Sequence, residues 1–207
     1  MTSESLWDRA IESYEKEGRV PVEFFDGVRV GSHPDQFVAD LDRILDGTLS
    51  EGVQKLVGPG SWDTVEKQVN ACYFNAWGEI RSATTFARQI EKMGFHYPSF
   101  KLGVARQLHD EMRHFYLYKD CAIAMGGEDV LNTDSDKIAH SLMAMFDFVD
   151  TFSDDPRERA FVCQFVNERY VIFLFRDSML RYGVHPEFRK TLEAVIQIGR
   201  ASCRERV

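Results

Sequence analysis

Between Ser61 and Met93 one set of positions recurs at alternating steps of three and four: Val65, Val69, Cys72, Ala76, Glu79, Ala83, Phe86, Ile90 and Met93. That period belongs to a long helix buried along one side. It repeats after Pro98, through Phe100, Val104, Leu108, Glu111, His114/Phe115, Tyr118, Cys121/Ala122 and Met125, and stops at Gly126-Gly127. A third stripe follows Asp155-Pro156, through Phe161, Phe165, Glu168, Ile172, Phe175 and Met179, and ends at Gly183. His185-Pro186 restarts a helix with Phe188, Leu192 and Val195 in phase. The spacing predicts antiparallel helices near 62–93, 98–125 and 156–182, an all-α fold, with Ser61 or Asp63 capping the first. The connection 128–154 is predicted to carry its own helix, about 136–152, with Ile138, Leu142, Met145, Phe146 and Val149 on one face and His140 off it. Such a length suits a crossover between two helical hairpins.

Each long stripe carries charge only near its middle. Burying a carboxylate among apolar side chains is costly unless it is paired or metal-bound. Glu111 and His114 are three residues apart, one turn along the same helix face, so both can serve one metal ion. Glu79 and Glu168 supply carboxylates from two other helices. In di-iron carboxylate bundles, two helices each give one Glu and two each give Glu-x-x-His. This chain has Glu79, then Glu111-x-x-His114, then Glu168. Carboxylate and imidazole suit iron or manganese; Glu111 is the expected bridge, Glu79 and His114 complete the first metal, and Glu168 lies at the second. Tyr118, one turn beyond His114, is a candidate redox or catalytic residue. The segment HDEMRH does not fit a zinc-protease motif. His109 and His114 are five apart, about 140° around a helix, and that motif needs two His four apart.

The first 60 residues are predicted to be an extension without chemistry, closed by Gly58-Pro59-Gly60. Glu4–Glu17 and Pro34–Asp46 read as short helices, and Val20–Val30 as a loop or small hairpin. A net charge of −8 argues against a nucleic-acid surface. Cys72, Cys121, Cys163 and Cys203 form no C-x-x-C pair and are expected as buried free thiols in a reducing, cytoplasmic setting. The N-terminal stretch MTSESLWDRAIESYEKEG has no signal-peptide pattern, and the longest strongly apolar run, Tyr170–Phe175, is far too short to span a membrane.

Residues 198–207, IGRASCRERV, resemble the translation of a sequencing adapter, so a non-native tail is expected. Glu79 and Glu111 are 32 residues apart. The same interval after Glu168 puts the last Glu-x-x-His at about position 200. The bundle 61–197 is therefore expected to be incomplete, its fourth helix truncated, and the chain as it stands inactive.

Asp110-Glu111-Met112-Arg113-His114 with Tyr116-Leu117-Tyr118 and Gly126 resembles the D-E-x-x-H-x-x-Y-L-Y block of the catalytic subunit of phenylacetyl-CoA ring epoxidases, with one residue, Phe115, in place of two between the His and the Tyr-Leu-Tyr. Gly78-Glu79-Ile80 is similar to that family's first-ligand segment, and Leu180-Arg181-Tyr182-Gly183 to the approach to its second Glu-x-x-His. The resemblance covers roughly residues 75–127 and 160–197. It implies a ferritin-like four-helix bundle binding two irons. It also implies dioxygen as co-substrate, an aromatic acyl-CoA as organic substrate, an electron-donating reductase, and a homo- or hetero-oligomer. Two other classes stay open: a rubrerythrin- or ferritin-type protein that reduces peroxide or oxidises iron, and a metal-free structural subunit of an oxygenase complex.

Overall fold

The computed structural model describes residues 62–133, 168–181 and 183–204, with scattered positions at 12, 16, 33, 36, 39–41, 43, 44, 47, 146, 147, 150, 151, 155, 158 and 159. The described residues are mostly helical and include no strand. The chain divides into two compact units, one of Met1–Pro59 with Arg169–Asp177 and one of Gly60–Glu168 with Ser178–Val207. The predicted helices at 4–17, 34–46 and 136–152, the loop or small hairpin at 20–30, Phe161, Phe165 and His140 fall wholly or mainly outside the described residues. Among the described residues no helix is long and apolar enough to cross a membrane.

Helix α1, Val65–Lys92, starts at Thr64, whose hydroxyl accepts the Lys67 N–H over 3.2 Å. Thr64, rather than Ser61 or Asp63, is the cap; Asp63 instead pairs with Lys67 Nζ at 2.8 Å. Helix α2, Pro98–Ala124, begins with Pro where an amide N–H has no helical partner to lose. Its N-cap, Tyr97, adopts φ 56°. Beyond Met125, Gly126 takes φ +89°, the left-handed conformation that ends a helix and that glycine adopts without a Cβ clash. Helix α3 is Glu168–Arg181 and α4 is Pro186–Arg204, so helical backbone continues through most of 198–207.

The five-residue connection Met93–Tyr97 makes α1 and α2 antiparallel neighbours, and they share the main helix interface, with α4 packed on α2. Phe86, Met93 and Val104 form a core patch at the hairpin end, with Ile90, Phe100 and Leu108 against it. At the other end Trp62 meets Phe188 edge-on at 5.0 Å. Buried Gln68 joins the starts of α1 and α4: its amide N–H donates to Trp62 O, and its carbonyl accepts the His185 N–H, each at 2.8 Å. The outer side of α1 is tied to the connection after α2 by charge. Arg81 reaches Asp150 at 2.8 Å and Asp147 at 3.1 Å, and Arg88 also pairs with Asp150. Burial alone would raise the Asp150 carboxyl, but Arg81 and Arg88 hold it below its usual range.

The predicted stripes match the buried faces with local exceptions. Val69, Cys72, Ala76, Ala83, Phe86 and Met93 on α1 are buried, but Val65, in the first turn, is exposed. Gln68, Thr85, Gln89 and Gln107 are buried polar residues that the apolar period passes over.

Candidate metal centre

Helices α1 and α2 bring Glu79, Glu111 and His114 together. One ligand atom from each lies within 4.8 Å of the others. His114 Nδ1 is 3.1 Å from Glu111 Oε2 and 3.8 Å from Glu79 Oε1. The side chains are 6%, 6% and 15% exposed for His114, Glu111 and Glu79. Glu111 and His114 are adjacent because they occupy one face of α2 a turn apart. Glu79 reaches them because it sits mid-stripe on the facing helix.

Two carboxylates this close, and this far from water, cannot both stay charged without a compensating cation or protons. Burial first, then the charge of Glu79, pushes the Glu111 carboxyl up to about 8. Burial would pull the His114 imidazole down. The hydrogen bonds and charges of Glu111 and Glu79 outweigh it and push the imidazole up to about 10. Protons therefore occupy the place a cation would take. The donor set fits such an ion. Ligands held by bonds of about 2.1 Å stand roughly 3.0–3.6 Å apart when adjacent, close to the 3.1 and 3.8 Å found here. Two carboxylates and an imidazole are ordinary ligands for iron, manganese or zinc. His114 Nε2, on the far side of the ring, is buried and makes no hydrogen bond.

Glu168 is not a member of this group. Its Oε1 accepts the Gln107 Nε2–H over 2.7 Å, and its Oε2 lies 3.9 Å from where a Cβ on Gly199 would stand. Gln107 precedes Glu111 by one turn of α2, so Glu168 attaches to the same helix face beside the three-residue group rather than within it. Gln107 is 3% exposed, and the sequence reading missed it. Its four-residue spacing from Glu111 was the available signal.

Tyr118 is fully buried, one turn after His114. Its phenol lies well above the usual tyrosine range, first because of burial and then because of the charges of Glu79, Cys72, Glu111 and Cys121. It is placed to sense both the carboxylates and the thiols. Of the other histidines, His109 is exposed on α2, and His185 accepts the Glu187 N–H at 3.3 Å through Nδ1.

No protein-family model, curated protein or solved structure matches the chain. What the fold and site define is a helical protein with a buried Glu-Glu-His group able to hold a metal ion.

Proposed function

We propose that the chain is a non-haem iron oxidoreductase of the carboxylate di-iron kind, an oxygenase acting on an organic substrate within a ferritin-like bundle. The observation that carries this reading is the convergence of Glu79, Glu111 and His114 on one buried point from two antiparallel helices. Glu79, Glu111 and His114 would hold the first iron. Glu168, tied to Gln107 one turn before Glu111, is the proposed ligand toward a second. When bound, the irons supply the reduction of dioxygen and the transfer of oxygen, chemistry no side chain performs.

The protein's own part is to bind, orient and exclude water. Glu111 gives up the proton that burial and Glu79 favour, and His114 gives up its proton at Nδ1, when a cation arrives. Glu79 then turns from a proton partner of both into a ligand. The apolar residues flanking the three, Ala76 and Ala83 on α1 and Phe115 on α2, are buried and keep bulk water from the reacting centre. Tyr118 holds its phenolic proton strongly, so it serves as a neutral hydroxyl beside the site.

The resemblance of the block Asp110 to Tyr118 supports an aromatic acyl-CoA as substrate and a reductase as electron source. The test is a single turnover. Residues 1–197, joined to the gene's own continuation in place of 198–207, are loaded with ferrous iron without oxygen, then mixed with isotopically labelled dioxygen and phenylacetyl-CoA. Label in the organic product is the expected result. Consumption of dioxygen with no labelled product, with or without the acyl-CoA, contradicts the oxygenase reading.

A further inference from the structure

We propose that Cys72, Cys121 and Met125 form a second, separate metal site, for a soft monovalent ion of which Cu(I) is the physiological example. Cys72 lies two turns before Glu79 on α1, and Cys121 lies two turns after His114 on α2. At 1.5 Å per residue the sulfurs are about 10 Å along the helices from the carboxylate group. Both thiols are free and buried, Cys72 completely and Cys121 to 4% exposure. The register that brings Glu79 to His114 sets Cys72 and Cys121, each seven residues away in the same direction, against one another, and each thiol shifts the other's acidity; Cys121 donates its S–H to Met125 Sδ over 3.6 Å. Three sulfurs around one ion with bonds of about 2.3 Å would stand about 4.0 Å apart. The Cys121–Met125 spacing is within a few tenths of an ångström of that separation.

The ligand types choose the ion. Thiolate and thioether sulfur select Cu(I). Zinc prefers four N, O or S donors, usually with no thioether. Among the described residues the Glu79–Glu111–His114 group is the one set of three or more such side chains able to hold a metal, and the thiol pair has no third member of that kind. A supporting shell is present. Thr191 of α4, itself buried, hydrogen-bonds Cys121. These donors favour the Cys121 thiolate, whereas the hydrogen bond to Cys121 and then burial keep Cys72 protonated until an ion displaces its proton. Met125, at the C-terminal end of α2, is only partly buried and offers the way in. On binding, two S–H bonds give way to two S–metal bonds, two protons leave to solvent, and no electron moves.

The experiment uses the full 207-residue chain, reduced and without oxygen. Cu(I) is supplied as its complex with an excess of a coloured bidentate chelator, and the colour lost reports copper withdrawn. One Cu(I) per chain is expected. The Cys72→Ser and Cys121→Ser variants should withdraw none. Met125→Leu and Thr191→Val should bind roughly tenfold more weakly, at the lower end of the range for removing a supporting group. A Cys163→Ser/Cys203→Ser double variant should keep the full affinity. Helical circular dichroism confirms that each variant is folded. Should Cys72→Ser fail to fold, Met125→Leu, which leaves both thiols in place, decides. The proposal is overturned if the unaltered chain withdraws no copper. It is also overturned if affinity follows Cys163 and Cys203, or if folded Met125→Leu binds as tightly as the unaltered chain.

Discussion

Gln107 donates its amide N–H to Glu168 over 2.7 Å, one turn of α2 before Glu111. The bond sets a carboxylate from α3 beside the Glu79–Glu111–His114 group. It also leaves Gln107 Oε1 buried without a hydrogen bond. The two ends of the pair therefore respond differently to mutation. Gln107→Leu loses a charge-assisted bond worth about 1.5–3 kcal/mol but also removes an orphaned carbonyl whose burial costs about 1–3 kcal/mol. Its net effect on stability should stay within about 1 kcal/mol. Glu168→Leu newly strands the buried Gln107 amide N–H, beside a carbonyl already without a partner, and should cost about 2–3 kcal/mol. Urea denaturation of the metal-free variants gives both numbers; a larger loss for Gln107→Leu would contradict the arrangement.

The metal-free chain should lose stability as the pH is raised. Folding lifts Glu111 from 4.5 to about 8, so the folded state holds that proton where the unfolded chain has released it. That contribution is fully present below about pH 4.5 and is lost as pH rises through 8. His114, lifted from 6.5 to about 10, behaves the same way over the next window. Glu111→Gln should remove much of the slope between pH 5 and 8, as read from thermal or urea midpoints across that range. Metal affinity should run the other way and rise with pH, because the ion displaces these protons.

Two glycines on α2 and just beyond it should give opposite results with alanine. A Cβ on Gly127 would stand 2.6 Å from Tyr73 Oη, 2.7 Å from Val69 Cγ1 and 2.9 Å from the Ala122 carbonyl. Tyr73 is not free to move, because its hydroxyl accepts the Glu128 N–H at 2.7 Å and donates to the Glu128 carbonyl at 3.2 Å. Gly127→Ala should cost about 1–3 kcal/mol. Gly103 lies within α2 with nothing within 4 Å of its added Cβ. Gly103→Ala should stabilise by roughly 0.5–1 kcal/mol through helix propensity alone. Equal shifts from the two substitutions would contradict the packing described.

Tyr97 holds the left-handed conformation at the start of α2, with its side chain half exposed. Asn enters this region several-fold more readily than a bulky residue. Tyr97→Asn should therefore raise the unfolding free energy by about 0.5–1 kcal/mol, part of the 1–3 kcal/mol that such strain costs. A destabilised variant would mean that the Tyr97 ring contributes more through packing, including its tilted contact with His96, than its backbone costs.

Much of the all-helical layout was legible because the three/four period and its punctuation, Pro98, Gly126 and Pro186, act within single segments. Glu79, Glu111 and His114 were legible for a related reason: each interrupts an apolar stripe near its middle, where an unpaired charge is costly. Glu168 satisfied the same rule, yet its carboxylate is engaged by Gln107. A neutral amide leaves no distinctive mark on a hydrophobic pattern, so the one trace of that partner was its four-residue spacing from Glu111. The Cys72–Cys121 pairing depends on the register between α1 and α2, which the period of either helix alone does not set. Nor does it reveal that Gly127 lies under Tyr73.

The most direct test of the central claim is iron stoichiometry at the Glu79–Glu111–His114 group. The reduced chain is equilibrated with ferrous iron without oxygen, freed of excess metal, and assayed for iron alongside Glu111→Gln and His114→Ala. Both variants are checked for helicity. The account predicts at least one iron retained per unaltered chain and a loss of that iron in each folded variant. No retained iron, or equal iron in the unaltered chain and both variants, would contradict it.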